Sequence, residues 1–543
     1  MSNYKILALI GILFLAAFFR FWQLTTVPPS LYWDEVSQGY NAYSIATTGK
    51  DEHQETFPLA RFEAFGDYKA PVNIYLTAIT MFFLGKSDFA VRFPSALLGT
   101  LSVFVTFFLV FYLFYKNKLA EWYGLIAAFF LSISPWHIQL SRASFEANVA
   151  TFFTIFAAFL FFYALRKRPW VLILSIISFV LAFYSFNAHR IFIPLLVLLF
   201  AIVEYKALYK LKKQLILGVI VGGILLIPFA IFFTTPESKL RFQEVNIFSD
   251  ISTIKKSNSL IEQDNNSPFA KIINNRRVLF AEKYLENYLS FFDTKYLFLS
   301  GDPNPRFSDQ SNGELFLFLA PFLVLGFYSL FWQRKQFIII IGWILLAPIA
   351  ASVAREVPHA LRSETFIPTF EIIAALGVVS TFLFLYRHFK KIAVLFPLFL
   401  SLVVLISCIH FWHNYLIHNR ITYSGDWQYG YKQVIEKVHR IENDYDKIYF
   451  TNTYGRAYIY IAWYDNFTPD KFWMDVDMKK DDFGFYNVNR LGKYVFTDTL
   501  SPNEMGNVLY VTTPAQVPPQ SQILDKVDFL DGKGAFVISK RYE

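Results

Sequence analysis

The stretch "LYWDEVSQGY", residues 31–40, sets two adjacent carboxylates, Asp34 and Glu35, beside a tryptophan just after an apolar N-terminal run. A carboxylate held at a membrane exit can take a proton from a hydroxyl nucleophile. Further ionisable residues fall near the ends of apolar segments: Lys69 before Pro71, Arg92 before Pro94, His137, Arg142, Glu146, His189, Arg190, Arg306, His359 and Arg362. Such groups are costly beside apolar spans and tend to face a cavity or one another. Many cations opposite a few acids suit an anionic headgroup and a neutral nucleophile. With a sugar carried on a lipid phosphate, Arg and Lys would hold the phosphate and stabilise charge as it leaves. Phosphate departs without a general acid, so one carboxylate on the far face of the sugar suffices as base. Plainer roles stay open at each position. Asp34 suits an N-cap. Lys69, Arg92 and Arg362 suit snorkelling to headgroups, and His137 and His359 suit capping or packing.

The elements that must position these residues are membrane helices. Of 543 residues, 55% are hydrophobic and 20% aromatic, 63 of them Phe, and only 17% are charged. A soluble chain carries about 25% charge. Apolar stretches lie at 6–22, 71–84, 94–115, 122–137, 147–165, 170–186, 191–204, 215–233, 315–332, 337–353, 365–386 and 393–411. Most approach the roughly 17–25 residues needed to cross a bilayer. The fold class expected is a polytopic α-helical membrane protein of about 11–13 transmembrane helices. The net charge of +8 sits largely in short loops between apolar segments. Membrane orientation accounts for it better than nucleic acid does. The one cysteine, Cys408, excludes an intramolecular disulfide and a cysteine-based metal site.

Basic loops set the orientation. "YKNK" at 115–118, "RKR" at 166–168, "KALYKLKK" at 206–213, "WQRKQ" at 332–336 and "YRHFKK" at 386–391 belong in the cytoplasm. The N-terminus joins them, with 6–22 as an uncleaved first span. "WHIQLSRASFE" at 136–146, "NAHR" at 187–190, the stretch 234–314 and "REVPHALR" at 355–362 then lie outside. On this count 71–84 cannot be a full crossing, which leaves about eleven true spans.

Val36, Tyr40 and Tyr43 recur at helical spacing, with Ser37, Gln38 and Asn41 between them. This predicts an amphipathic helix along the membrane interface, with Asp34 in its first turn. The domain reading is a transmembrane domain over 1–411, with extracytoplasmic loops 23–93 and 234–314, and a soluble extracytoplasmic α/β domain over 412–543. In the latter, "YKQVIEKVHRI" at 431–441 has helical spacing, while "KIYFTN" at 447–452, "NVLYVTT" at 507–513 and "AFVIS" at 535–539 read as strands.

Several motifs are recognisable together: "WDE" at 33–35, "YKAP" at 68–71, "GKSDFAVRFPSALLG" at 85–99, "SPWHIQLSRASFEAN" at 134–148, "NAHRIFIP" at 187–194, "GDPNPRFSDQSNGELF" at 301–316 and "PHALRSETFIPTFEIIAALG" at 358–377. Over roughly 1–410 the chain resembles the C-type glycosyltransferases, in particular the dolichyl-phosphate-mannose protein mannosyltransferase and aminoarabinose lipid A transferase family. The resemblance implies Asp34 as catalytic base, Glu35 as its acidic neighbour and Lys69 as a contact of the lipid phosphate. Ala70 departs from the family's usual Lys-Pro-Pro. Arg92 matches the arginine of an Arg-x-Pro-Ser motif, and Glu146 stands where the family often has Asp. Arg190 and Arg362 are candidates from charge and topology.

The expected activity is inverting transfer of a sugar from a polyprenyl-phosphate donor to an extracytoplasmic protein, lipid or glycan acceptor. A transporter or flippase of lipid-linked sugars is the alternative. Its usual pseudo-repeats are not evident here. No Asp-x-Asp motif lies near 34 or 146, so no cofactor is expected at the site, as the protein mannosyltransferase branch implies; a divalent metal is left open. "DVD" at 475–477 reads as a solvated turn.

Overall fold

The structure, a computed structural model, describes residues 2–235, 238, 246–481, 484–499 and 507–541. Parts of the expected outer stretch 234–314 and of the C-terminal region therefore lie outside the described residues. The chain divides into two compact units. The first comprises 1–20, 97–141 and 146–411. The second comprises 21–96, 142–145 and 412–543.

The first unit is built from apolar helices. Among the described residues of the whole chain, seven helices are long and apolar enough to cross a membrane: Asn3–Phe21, Asp88–Leu113, Glu146–Arg166, Lys212–Phe233, Arg334–Val353, Thr369–His388 and Lys390–Thr422. The pair Ala120–Ile133 and Pro135–Arg142 forms a broken span bent by 56°. Val171–Ser185, His189–Val203 and Leu317–Phe331 are apolar but shorter. Each of the eleven expected spans is thus helical, while fewer than eleven are full-length straight helices. The sequence counts apolar residues; it does not register the break at Ser134 ahead of Pro135. Pro71–Leu84 has 14 residues, about 21 Å of helix against a core of roughly 30 Å. The helices ending at Phe331 and beginning at Thr369 approach closely: a Cβ on Gly326 would fall on the Ile373 carbonyl, and one on Gly377 on the Phe322 carbonyl. Small residues let membrane helices pack this tightly. Much of the expected outer stretch is helical, at Ile251–Gln263, Pro268–Ile273 and Arg276–Ser290.

The second unit is α/β. A hairpin pairs β1 (Phe62–Ala64) with β2 (Asp67–Lys69). Both loop residues, Phe65 and Gly66, have positive φ (62° and 90°), the geometry that matches strand twist in two-residue hairpins. Among the described residues a seven-stranded sheet is built from β3 (Lys447–Phe450), β4 (Val476–Lys480), β5 (Tyr486–Leu491), β6 (Tyr494–Phe496), β7 (Val508–Thr512), β8 (Ser521–Asp528) and β9 (Gly534–Arg541). Their order is β4-β5-β6-β3-β7-β9-β8. β3 runs parallel to β6 and β7; the other pairs are antiparallel. The three predicted strands are β3, β7 and β9. The predicted helix runs Tyr431–His439 and buries Tyr431, Val434, Ile435 and Val438. "DVD" is a correction: it spans the end of helix Pro469–Asp475 and the start of β4, not a turn.

Helix Trp33–Thr48 is also a correction. Ten consecutive or near-consecutive residues, Glu35–Ala42 with Ser44 and Ile45, are buried, so it is a core helix and not an interfacial one. Two of its buried polar side chains, Gln38 and Asn41, have protein partners in place of water. Asn73 Nδ2 donates to Gln38 Oε1, and Asn41 Nδ2 donates to Glu52 Oε1 at 3.0 Å. Its apolar side, with Val36 and Tyr40, joins Tyr431, Val434, Tyr458, Trp463 and Phe472 in one core cluster.

Candidate functional site

Asp34 and Glu35 are neighbours in sequence and part company in space. They occupy the first turn of Trp33–Thr48, where the helix dipole favours negative charge. The cap residue is Tyr32, whose N–H donates to Glu35 Oε2 at 3.3 Å, so Asp34 does not serve as the N-cap. Successive helical residues point about 100° apart. Glu35 therefore turns inward and is fully buried, while the Asp34 side chain keeps 23% exposure.

Glu35 is locked in place. Arg92 Nε donates to Oε1 at 2.9 Å and Nη2 to Oε2 at 3.0 Å; Ser144 N–H donates to Oε1 at 2.9 Å. The remaining N–H groups of Arg92 go to backbone carbonyls: Nη1 to Leu24 and Pro28, Nη2 to Ser30. All five guanidinium donors are thereby used. Two expectations are corrected here. Glu35 has no access to a reacting group, and Arg92 has no N–H to spare for a phosphate. Both position the segment from which Asp34 projects.

Asp34 meets Lys69. Its Oδ1 lies 2.8 Å from Nζ, and Asp67 Oδ2 lies 3.4 Å from the same ammonium. Asp67 was not foreseen. The available signal was the "DYK" spacing, since residues i and i+2 of a strand share a face. Arg142 is fully buried in the same unit. Its Nη2 donates to the carbonyls of Trp22 at 2.7 Å and Val27 at 2.8 Å, and its guanidinium lies over the rings of Trp412 and Tyr415. It braces the chain around residues 22–27 and is corrected from a substrate contact to a structural one.

The remaining predicted residues lie in the first unit. His137 is buried with Nδ1 2.6 Å from Arg20 Nη2. Glu146 opens helix Glu146–Arg166 and is partly exposed. His189 is 1% exposed, between the rings of Phe186 and Phe192, and is thereby corrected to a packed residue. Arg190 lies over the Phe229 ring at 4.8 Å.

His359 and Arg362 come together beside Asp302, which sequence reasoning missed, and Arg306 lies near His359. Asp302 Oδ2 accepts from the Ala360 N–H at 2.7 Å and lies 3.5 Å from His359 Nδ1. Its Oδ1 accepts from the Asn304 N–H, and its own N–H donates to Glu314 Oε1 at 2.9 Å. Phe307 packs on the His359 ring at 4.6 Å. Burial pushes the Asp302 carboxyl up to about 6. Burial, with Arg362 and Arg306 nearby, pushes His359 down to about 3. At neutral pH this cluster thus holds a charged aspartate against an uncharged imidazole. Trp136 Nε1 donates to the Ala360 carbonyl at 3.0 Å and Gln139 Nε2 to the Pro305 carbonyl at 3.2 Å. The loops 301–316 and 355–363 are so tied to the segment 135–141.

Comparison with known proteins places this architecture. Residues 68–232 match the family model described as dolichyl-phosphate-mannose-protein mannosyltransferase. A protein of Bacillus subtilis (strain 168) named "Putative mannosyltransferase YkcB" is 27% identical over 152 residues, 27% of this chain and 20% of that relative's length. ArnT from Cupriavidus metallidurans, in the apo state, superposes with a TM-score of 0.54 at 11% identity, covering 98% of this chain and 97% of that one. The same protein bound to undecaprenyl phosphate gives 0.52, also at 11% identity, over 99% and 98%. The chain is a multi-pass membrane protein with the fold of ArnT. Within 68–232 it carries the sequence signature of the dolichyl-phosphate-mannose-protein mannosyltransferases, the family its motifs resemble.

Proposed function

We propose that the chain is a membrane glycosyltransferase that moves a sugar, with inversion, from a polyprenyl phosphate to an acceptor hydroxyl outside the cytoplasm. The observation that carries this reading is the contrast between two adjacent acids. Glu35 is sealed by Arg92, whereas Asp34 projects from the same turn with a partly exposed carboxylate held on Lys69. The matched family model and the undecaprenyl phosphate bound by the structurally similar ArnT support a lipid-phosphate donor.

In this mechanism Asp34 takes the proton of the acceptor hydroxyl. The acceptor oxygen forms a bond to the anomeric carbon as the bond from that carbon to the phosphate oxygen breaks. The electron pair leaves on the polyprenyl phosphate. Lys69, shared between Asp34 and Asp67 here, is the cation that neutralises the departing phosphate. The Arg92–Glu35 pair holds the first turn still, so that the base does not reorganise as charge moves. Protein, lipid and glycan acceptors all present the hydroxyl this chemistry needs.

The test is incubation of purified protein with radiolabelled undecaprenyl-phosphate-mannose and a panel of other polyprenyl-phosphate sugars. Consumption of one donor by wild type and loss of consumption in Asp34→Asn support the reading. Undiminished turnover in that variant overturns it.

A further inference from the structure

Away from Asp34, in the C-terminal sheet region, three side chains from three elements converge. His439 ends helix Tyr431–His439, Glu442 opens the short 3-10 turn after it, and Asp465 follows helix Ala457–Tyr464. Each offers one donor atom, and the three atoms lie within 4.8 Å of one another. His439 Nδ1 stands 2.5 Å from Asp465 Oδ1 and 3.6 Å from Glu442 Oε1. We infer that these residues form a divalent-metal site of the zinc type.

The outer arrangement supports a metal more than a simple ion pair. Tyr494, on β6, donates its hydroxyl to Glu442 Oε2 at 2.7 Å and stands 3.4 Å from Asp465 Oδ2. One phenol thus occupies the outer oxygen of each carboxylate and leaves both inner oxygens, Oε1 and Oδ1, facing the imidazole. Hydrogen-bonded carboxylates of this sort are the usual support of metal ligands. The nearby Lys493 ammonium is engaged by the Glu442 backbone carbonyl at 2.7 Å. The side chains of Asp465 and Glu442 are only 6% and 12% exposed. A dication between them would neutralise two carboxylates held side by side.

An imidazole with two carboxylates matches Zn²⁺ better than Mg²⁺, which avoids nitrogen donors. Tetrahedral ligands at about 2.0–2.1 Å stand roughly 3.3 Å apart. The His439–Asp465 contact must therefore open by under 1 Å, which an imidazole with 60% exposure can do. The same exposure gives an entry path and room for water as further ligands.

The test uses the full chain, purified in detergent without a histidine tag, stripped with chelator and dialysed against zinc sulfate. Expected is one Zn²⁺ per chain, retained in millimolar Mg²⁺, with affinity at least about tenfold lower in Tyr494→Phe. In His439→Ala the bound ion should be lost, and this exposed position makes misfolding a minor concern even if Asp465→Asn fails to fold. Cobalt loading gives a second readout, a visible absorption band that should vanish in His439→Ala. Wild type that retains no zinc, or His439→Ala and Glu442→Gln variants that bind it unchanged, would overturn the assignment and leave a plain hydrogen-bonded ion pair.

Discussion

The Arg92 guanidinium and the Glu35 carboxylate, 57 residues apart, meet in two hydrogen bonds of 2.9 and 3.0 Å with neither side chain more than 1% exposed. Buried charges are tolerated when paired and fully hydrogen-bonded. Here the pair also draws in the carbonyls of Leu24, Pro28 and Ser30 and the N–H of Ser144. It ties the segment after the first helix to the turn that bears Asp34.

Breaking this pair from one side should therefore destabilise the second unit strongly. Arg92→Met strands a buried carboxylate, and a loss of about 3–5 kcal/mol is expected. Pairing it with Glu35→Gln should cost less than the two single losses added together. Denaturation of the four proteins of this cycle in detergent measures the coupling, and additive losses would contradict it.

Asp34→Asn should separate chemistry from folding. The carboxylate is partly exposed and Lys69 keeps Asp67 as a second partner, so stability should change by only about 1 kcal/mol. Turnover should fall by at least about 10²-fold. Parallel thermal melts and donor-consumption assays read the two effects.

Lys69 offers a split between binding and rate. Lys69→Ala removes the cation expected at the donor phosphate, so KM for the polyprenyl-phosphate donor should rise at least tenfold. Lys69→Arg keeps the charge and should restore part of that loss. Equal behaviour of the two variants would assign Lys69 to a purely structural role.

The loop after helix Trp33–Thr48 predicts a pH dependence. Burial pushes Glu52 up to about 8 from an ordinary value near 4.5, although Asn41 donates to its carboxyl. The folded chain thus holds this proton more tightly than the unfolded chain. Stability from this group is complete below about 4.5 and is lost as pH rises towards 8 and beyond. Glu52→Gln, which mimics the protonated acid, should flatten that fall. Melting temperatures from pH 5 to 9 test it, and a wild-type slope unchanged in the variant would refute it.

Much of the fold is legible in the residue pattern. Apolar runs locate the helices because a bilayer demands length and apolarity alone, and β-branched runs locate β3, β7 and β9 because side-chain alternation is a local property. The site is less legible. Lys69 could be matched by its motif, whereas Asp67 was passed over although the strand spacing pointed to it.

What the sequence determined by itself is a polytopic membrane chain whose acids and cations gather near the ends of its apolar stretches. The division of labour between Asp34 and Glu35 was decided only by the tertiary structure. So were the enclosure of Arg92 and Arg142, the burial of helix Trp33–Thr48 and the meeting of His359 and Arg362 at Asp302. The reason is physical. A helix turn points adjacent residues in different directions, and which direction is buried depends on partners 57 and 109 positions away. Hydropathy and spacing measure neighbours along the chain, while burial and hydrogen bonding are settled by neighbours in space.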